Sequence, residues 1–263
     1  MPLLQNFIPN ELLPQLPAFF WTFVRISALL VGAPLFGART VPARVRVMLA
    51  VLLAFVVFPQ VAVPGEVSVI SPAGALLIAR ELVIGFALGF LVQMLFGAVA
   101  MAGEIIALSM GLAFASVVDP DRGVSVPVIG QYFVVMSTLL FLALNGHLAL
   151  LQLLIESFGL LPPAVAGLNA AGFVELADAA GRMFEAAIMV ALPAATVLLV
   201  ASVSMGLIAR SAPQLNIFAV GFPMTLMLGI VALLFSLPLL APQFEQLLVV
   251  VLESGRSLLG AFR

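Results

Sequence analysis

Leu82-Val-Ile-Gly-Phe-Ala-Leu-Gly-Phe-Leu-Val-Gln-Met-Leu-Phe-Gly-Ala-Val-Ala-Met-Ala-Gly103 contains no charged residue. An α-helix needs about 20 such residues to cross the hydrocarbon core of a bilayer, so this stretch reads as a membrane-length helix. Uncharged runs at 47–65, 123–155, 186–209 and 211–244 share the property, and 16–35 adds a sixth stretch broken only by Arg25. Together they predict an all-α, polytopic membrane protein with helices near 16–35, 44–63, 74–101, 128–157, 183–209 and 214–240. The composition agrees, because 64% of the 263 residues are hydrophobic and only 8% charged. Soluble domains carry about 25% charged residues, and this chain has too few to coat a globule.

Ten Arg and no Lys stand against twelve carboxylates, for a net charge of -2. Nucleic-acid binding is unsupported, since no basic stripe is available to neutralise phosphates. Cysteine is absent, which removes disulfides and thiolate chemistry. No linker or low-complexity tract divides the chain, so it is read as one domain, 1–263.

Within the opening stretch Gly85, Gly89 and Gly97 lie at multiples of four, with Gln93 at the missing step. On a helix that spacing traces one slowly drifting stripe where a second backbone can come close, and Gln93 on it would donate across helices. Pro193 falls inside the fifth predicted helix and should kink it. Residues 169–185 are more polar and read as an amphipathic extension of that helix. From Gln243 to Arg263, Leu247, Leu248, Val251, Leu252, Leu258, Leu259 and Phe262 share one helical face. Such a helix lies on a membrane surface or docks on a partner.

The least helical piece is Gly111-Leu-Ala-Phe-Ala-Ser-Val-Val-Asp-Pro-Asp-Arg-Gly-Val-Ser-Val-Pro127. Asp119 before Pro120 is pushed to an extended conformation, and Asp-Pro-Asp-Arg-Gly reads as a turn. Irregular backbone at membrane depth is tolerated only when buried in protein or lining a cavity, so this mostly apolar segment is an aqueous loop or a re-entrant plug.

Catalytic constellations are missing. His147, in Asn145-Gly-His147, is the only histidine, and a metal site needs several ligands. Asn145 and His147 read as polar anchors. Ser125 lacks the nucleophile-elbow context, so a hydrolase is rejected. Glu81 and Glu104 lie in or beside apolar runs, where ionisable groups are functional candidates. Arg80 abuts Glu81, and no second carboxylate follows at helical spacing as a proton relay would need. No enzyme, cofactor or metal is expected.

Several phrases nevertheless follow one another in order. They are Arg80-Glu81-Leu82, Ile84-Gly85, Gly89-Phe90, Ala102-Gly103-Glu104, Met110-Gly111, Asp119-Pro120, Leu140-Phe141, Asn145-Gly146-His147, Ser157-Phe158, Pro213-Gln214-Leu215-Asn216-Ile217-Phe218 and Gly221-Phe222-Pro223. In this the chain resembles the FliR/SctT family of type III secretion export-gate proteins over nearly its full length, the flagellar branch more than the injectisome one. Ala79 stands where the family shows Gly before the Arg-Glu pair.

The resemblance implies a non-enzymatic subunit in the bacterial inner membrane, at the flagellar basal body, assembling with FliP and FliQ into a right-handed helical gate for unfolded substrates. It implies a FliP-like portion at 1–182 and a FliQ-like hairpin with a C-terminal amphipathic helix at 183–263. Helices of that family sit largely above the bilayer plane. Gly111, Phe114, Val117, Val118, Asp119, Pro120 and Pro127 match the family's plug loop. Arg210, Pro213, Gln214, Asn216, Phe218, Gly221 and Pro223 match the cytoplasmic hairpin tip, where FlhB wraps the gate and FlhA lies close. A stand-alone secondary transporter is the competing reading, and it predicts internal repeats that the sequence does not show.

Overall fold

The computed structural model describes residues 16–38, 41–61, 71–112, 128–163, 167–211 and 217–263. Among these the chain is all-α, with eight α-helices: α1 (Leu16–Gly32), α2 (Pro34–Gly37), α3 (Ala43–Val57), α4 (Pro72–Ser109), α5 (Val128–Ala143), α6 (Gly146–Leu160), α7 (Ala170–Ser211) and α8 (Ile217–Phe262). A 3-10 turn, Phe58–Gln60, prolongs α3.

Local chemistry sets several of the helix ends. Ser71 caps α4, its hydroxyl accepting from the Gly74 amide at 3.0 Å, and Pro72 follows where its missing N–H costs nothing. The other end of α4 closes at Gly111, whose φ of 80° is left-handed. Gly111 N–H donates to Leu108 O at 3.0 Å and Leu112 N–H to Ala107 O at 3.2 Å, the paired bonds of a Schellman cap. Asn169 caps α7, accepting from the Ala171 amide at 3.0 Å.

Four helices are long and apolar enough to cross a membrane, or five if α5 and α6 together form one interrupted span. α4, α7 and α8 are 38, 42 and 46 residues long. At 1.5 Å per residue they extend roughly 57, 63 and 69 Å, about twice the thickness of a hydrocarbon core. The polar segment at 169–185 is the extension of α7 that its pattern predicts, and α7 runs on through Pro193.

Two expectations are corrected. The helix anticipated at 128–157 is two helices, because Asn145 adopts φ 56° and ends α5, its N–H donating to Leu142 O at 3.2 Å. Asn is one of the few residues that visits this conformation at modest cost. The apolar face at the C-terminus, expected on a membrane surface or a partner, is in part packed on its own chain, while Leu247, Val251 and Leu252 stay half-exposed. Leu258, Leu259 and Phe262 are buried. The ring of Phe262 stands 5.2 Å from that of Phe173, and its carbonyl accepts from the Asn169 amide at 3.1 Å. Glycine makes room for this packing, since a Cβ on Gly172 would collide with the Phe262 ring.

The chain forms two compact units, one of Met1–Met94, Gly146–Ala180 and Val250–Arg263, the other of Leu95–Asn145 and Gly181–Val249. In the first, Trp21, Ile26, Leu29, Leu77, Ile84 and Phe158 lie in the interior. The second is organised around Phe96, whose ring meets Phe141 at 5.6 Å and Phe244 at 6.3 Å, both edge-on, the geometry that aromatic quadrupoles favour.

Candidate functional site

The most unusual chemistry in the described residues is an ionic cluster inside the first unit. Arg25 on α1 and Glu81 on α4 are both fully buried, with Arg25 Nε 2.6 Å from Glu81 Oε2. Arg80 Nη1 reaches Glu81 Oε1 at 3.1 Å, so a guanidinium engages each carboxylate oxygen. Three donor groups turn to the end of α6, while Arg80 Nε is buried without a partner among the described residues. Arg25 Nη1 donates to Ser157 Oγ at 3.0 Å and Nη2 to Leu161 O at 2.7 Å, while Arg80 Nη1 donates to Pro162 O at 2.9 Å.

Two cations face one anion, which leaves a surplus positive charge in an apolar interior. The carbonyl-bearing end of α6 carries partial negative charge and is where cations are favoured. The Phe158 ring adds its electron-rich face 4.2 Å beneath the Arg25 guanidinium. The cluster thus ties α1, α4 and α6 through charge, with both Glu81 oxygens held by guanidiniums.

Beside the cluster the glycine stripe lets two backbones touch. A Cβ on Gly89 would lie 2.6 Å from Leu29 O and 2.8 Å from Ala33 N, and one on Gly85 would collide with Arg25 O. These two glycines set the α1–α4 distance that brings Arg25 to Glu81. Gln93 does not join the contact, because it is exposed. The register advances from Arg25 opposite Gly85 to Gly32 and Ala33 opposite Gly89, where α1 ends, so one turn further on no α1 backbone is left to meet. Gly97 serves the second unit, where an added Cβ would meet Met183 Sδ at 3.3 Å.

Also in the second unit, α4 and α5 cross at Gly103 and Gly130, a Cβ on the former lying 2.8 Å from the latter's Cα. Glu104 is half-buried beside Gly130 in the first turn of α5, where a carboxylate complements the helix dipole.

The other anticipated site residues are scattered. Gly111 is the cap that ends α4; Phe114, Val117, Val118, Asp119, Pro120 and Pro127 lie outside the described residues. Arg210 is exposed in the last turn of α7, Gly221 is buried and Pro223 exposed in α8, and Phe218 belongs to the first turn of α8. Pro213, Gln214 and Asn216 lie outside the described residues. Asn145 is an exposed helix terminator; His147 is half-buried, its Nδ1 without a partner among the described residues. No group of His, Cys, Asp or Glu suited to a metal occurs among them.

Sequence reasoning missed Arg25 as a partner for Glu81. The signal was present: Arg25 is a lone charge within an apolar run and Glu81 heads another, and such charges in membrane segments pair with one another.

Comparison with known proteins supplies the identity. The profile of bacterial export proteins, family 1, matches residues 16–250. The flagellar biosynthetic protein FliR of Escherichia coli K12 is 41% identical over 90% of this chain and 91% of its own length. That of Pectobacterium carotovorum is 42% identical over 87% of each, and that of Bacillus subtilis 32% over 95% and 98%. Matched along most of their length, with the Arg80-Glu81 pair and the glycine contacts of α4 inside the matched region, these residues make the chain a member of family 1 of the bacterial export proteins.

Proposed function

We propose that this chain is a non-enzymatic subunit of the flagellar type III protein export gate, forming with FliP and FliQ the pore for unfolded flagellar substrates. Its similarity to FliR across nine tenths of both chains carries this reading and makes it a component of the flagellar export apparatus. In the same reading residues 1–182 are the FliP-like portion and 183–263 the FliQ-like hairpin. Segment 111–127 is the plug, and the turn between α7 and α8 faces FlhB, with FlhA near it, at the cytoplasmic side of the inner membrane.

Two physical features support a subunit over a self-sufficient transporter. The long helices exceed one bilayer crossing by about a factor of two, so a large part of them needs cover other than hydrocarbon. Their outward residues remain apolar: Met227 is 68% exposed and Phe235 78%. Contiguous apolar surface on that scale marks an interface with protein or lipid. A secondary transporter that used Glu81 as its ion site would leave it open to a cavity, whereas Glu81 is buried between two arginines.

The test is affinity purification of the tagged chain in mild detergent, co-expressed with its neighbouring genes. Stable recovery of FliP-like and FliQ-like proteins is the expected result. A monodisperse chain purified alone from cells that make those proteins would overturn the gate reading.

A further inference from the structure

The end of α4 is held from outside itself. Met110 is the last residue before the left-handed Gly111, and its carbonyl is one of those that an α-helix leaves without an internal acceptor role. That carbonyl accepts from Thr225 Oγ1 on α8 at 3.1 Å. The same hydroxyl lies 3.0 Å from Phe222 O, so its single proton is shared between the α8 backbone and the α4 terminus. One turn further along α8, Gly229 is bare and buried, and the space its Cβ would need is filled by the Met110 side chain, with Sδ at 2.7 Å and Cε at 2.6 Å from that position. Met110 itself is 2% exposed. Residues four apart share a helix face, so Thr225 and Gly229 make a single seat: a hydroxyl that grips the main chain and a notch that takes the side chain.

We propose that this seat is a positioning element of the gate. Gly111 ends α4, and Thr225 and Gly229 on the FliQ-like hairpin hold that end in place, and with it the point from which segment 111–127 departs. The inference rests on the plug reading of that segment. Its distinguishing content is that a residue on α8, more than 110 positions away in sequence from Met110, controls the leak of the closed gate without taking part in sealing it.

The experiment compares uptake of a membrane-impermeant dye by cells carrying the full gate, with recovery of FliP-like and FliQ-like chains measured in parallel. Deletion of 111–126 tests the plug reading alone. Gly229→Leu fills the notch, and Met110→Ala in the same chain empties the opposing space. Thr225→Val removes the hydroxyl at nearly constant shape, and Thr225→Ser restores it. Expected are a leaky deletion, a leaky Gly229→Leu relieved by Met110→Ala, and a leak in Thr225→Val of about fivefold, the weight of one ordinary hydrogen bond, that Thr225→Ser lacks.

A leaky deletion with tight Gly229→Leu and Thr225→Val overturns the seat while sparing the plug. Leak in Gly229→Leu that Met110→Ala does not relieve overturns the seat as well. A tight deletion overturns the plug reading and the seat with it. Should Gly229→Leu fail to assemble, Gly229→Ala, which presents only a methyl to Met110, is scored by the same criteria.

Discussion

α4 and α8 are equally hydropathic in their most apolar stretches, yet 67% of that stretch is buried within the chain in α4 and 17% in α8. Hydropathy measures exit from water and is silent about what replaces the water. The two helices differ in their small residues. α4 carries Gly85, Gly89 and Gly103 at backbone contacts, so neighbouring helices come close on several sides. α8 turns Met227, Leu234 and Phe235 outward and has Pro223, Pro238 and Pro242 within it. In an apolar medium, association of helices depends on close packing and polar ties rather than on escape from water. α4 has both, and most of α8 keeps its apolar surface for lipid or for another chain.

Four substitutions sharpen that contrast. The largest effect is expected from Glu81→Ala, which strands two guanidiniums inside the first unit. Breaking a buried pair from one side costs about 3–5 kcal/mol, and the variant should be lost from membranes when its abundance is measured by immunoblot. Abundance equal to the parent chain would show that the cluster is not a fastening.

Next comes Gly89→Leu, which forces α1 off α4. Overpacking costs about 1–3 kcal/mol, and the thermal midpoint of the purified protein in detergent should fall accordingly. An unshifted midpoint with an assembled gate would mean that the close approach at Leu29 and Ala33 carries no energy.

Phe235→Ala is the corresponding change on the exposed helix. Its effect on the midpoint of the isolated chain should stay within about 0.5 kcal/mol, as for surface positions generally. A large drop would place Phe235 in an interior and remove the contrast between the helices.

Least of all is expected from Arg256→Ala. Its guanidinium meets Glu156 at 3.0 Å but is 54% exposed, and solvent-screened pairs of this kind contribute little. Measurable destabilisation at ordinary ionic strength would be the informative surprise.

Reading the sequence reached the helices but not all of their ends or their company. Ser71-Pro72 and Met110-Gly111 carry boundary chemistry in their own side chains or in the lack of one. Asn145 was legible only as a polar anchor, and its left-handed backbone explains why an uncharged run of membrane length is two helices. Gln93 was misplaced because α1 ends at Gly32, level with Gly89, and the stripe's spacing does not reveal where its partner helix stops. The seat for Met110 left no sequence signal at all, since a Thr and a Gly in an apolar helix have many uses.

The sequence by itself determined that the chain is all-α, that it belongs in or against a membrane, and where most of its helices begin, because those properties follow from apolar run length and short-range backbone chemistry. Only the tertiary structure decided that Arg25 meets Glu81 across 56 residues and Ser157 across 132, that the C-terminal apolar face is in part covered by its own chain, and that α8 rather than α4 is left bare. Each of these is a choice among partners equally acceptable to the local sequence; backbone contact at Gly85 and Gly89 makes it for α1, and the bare Gly172 makes it for Phe262.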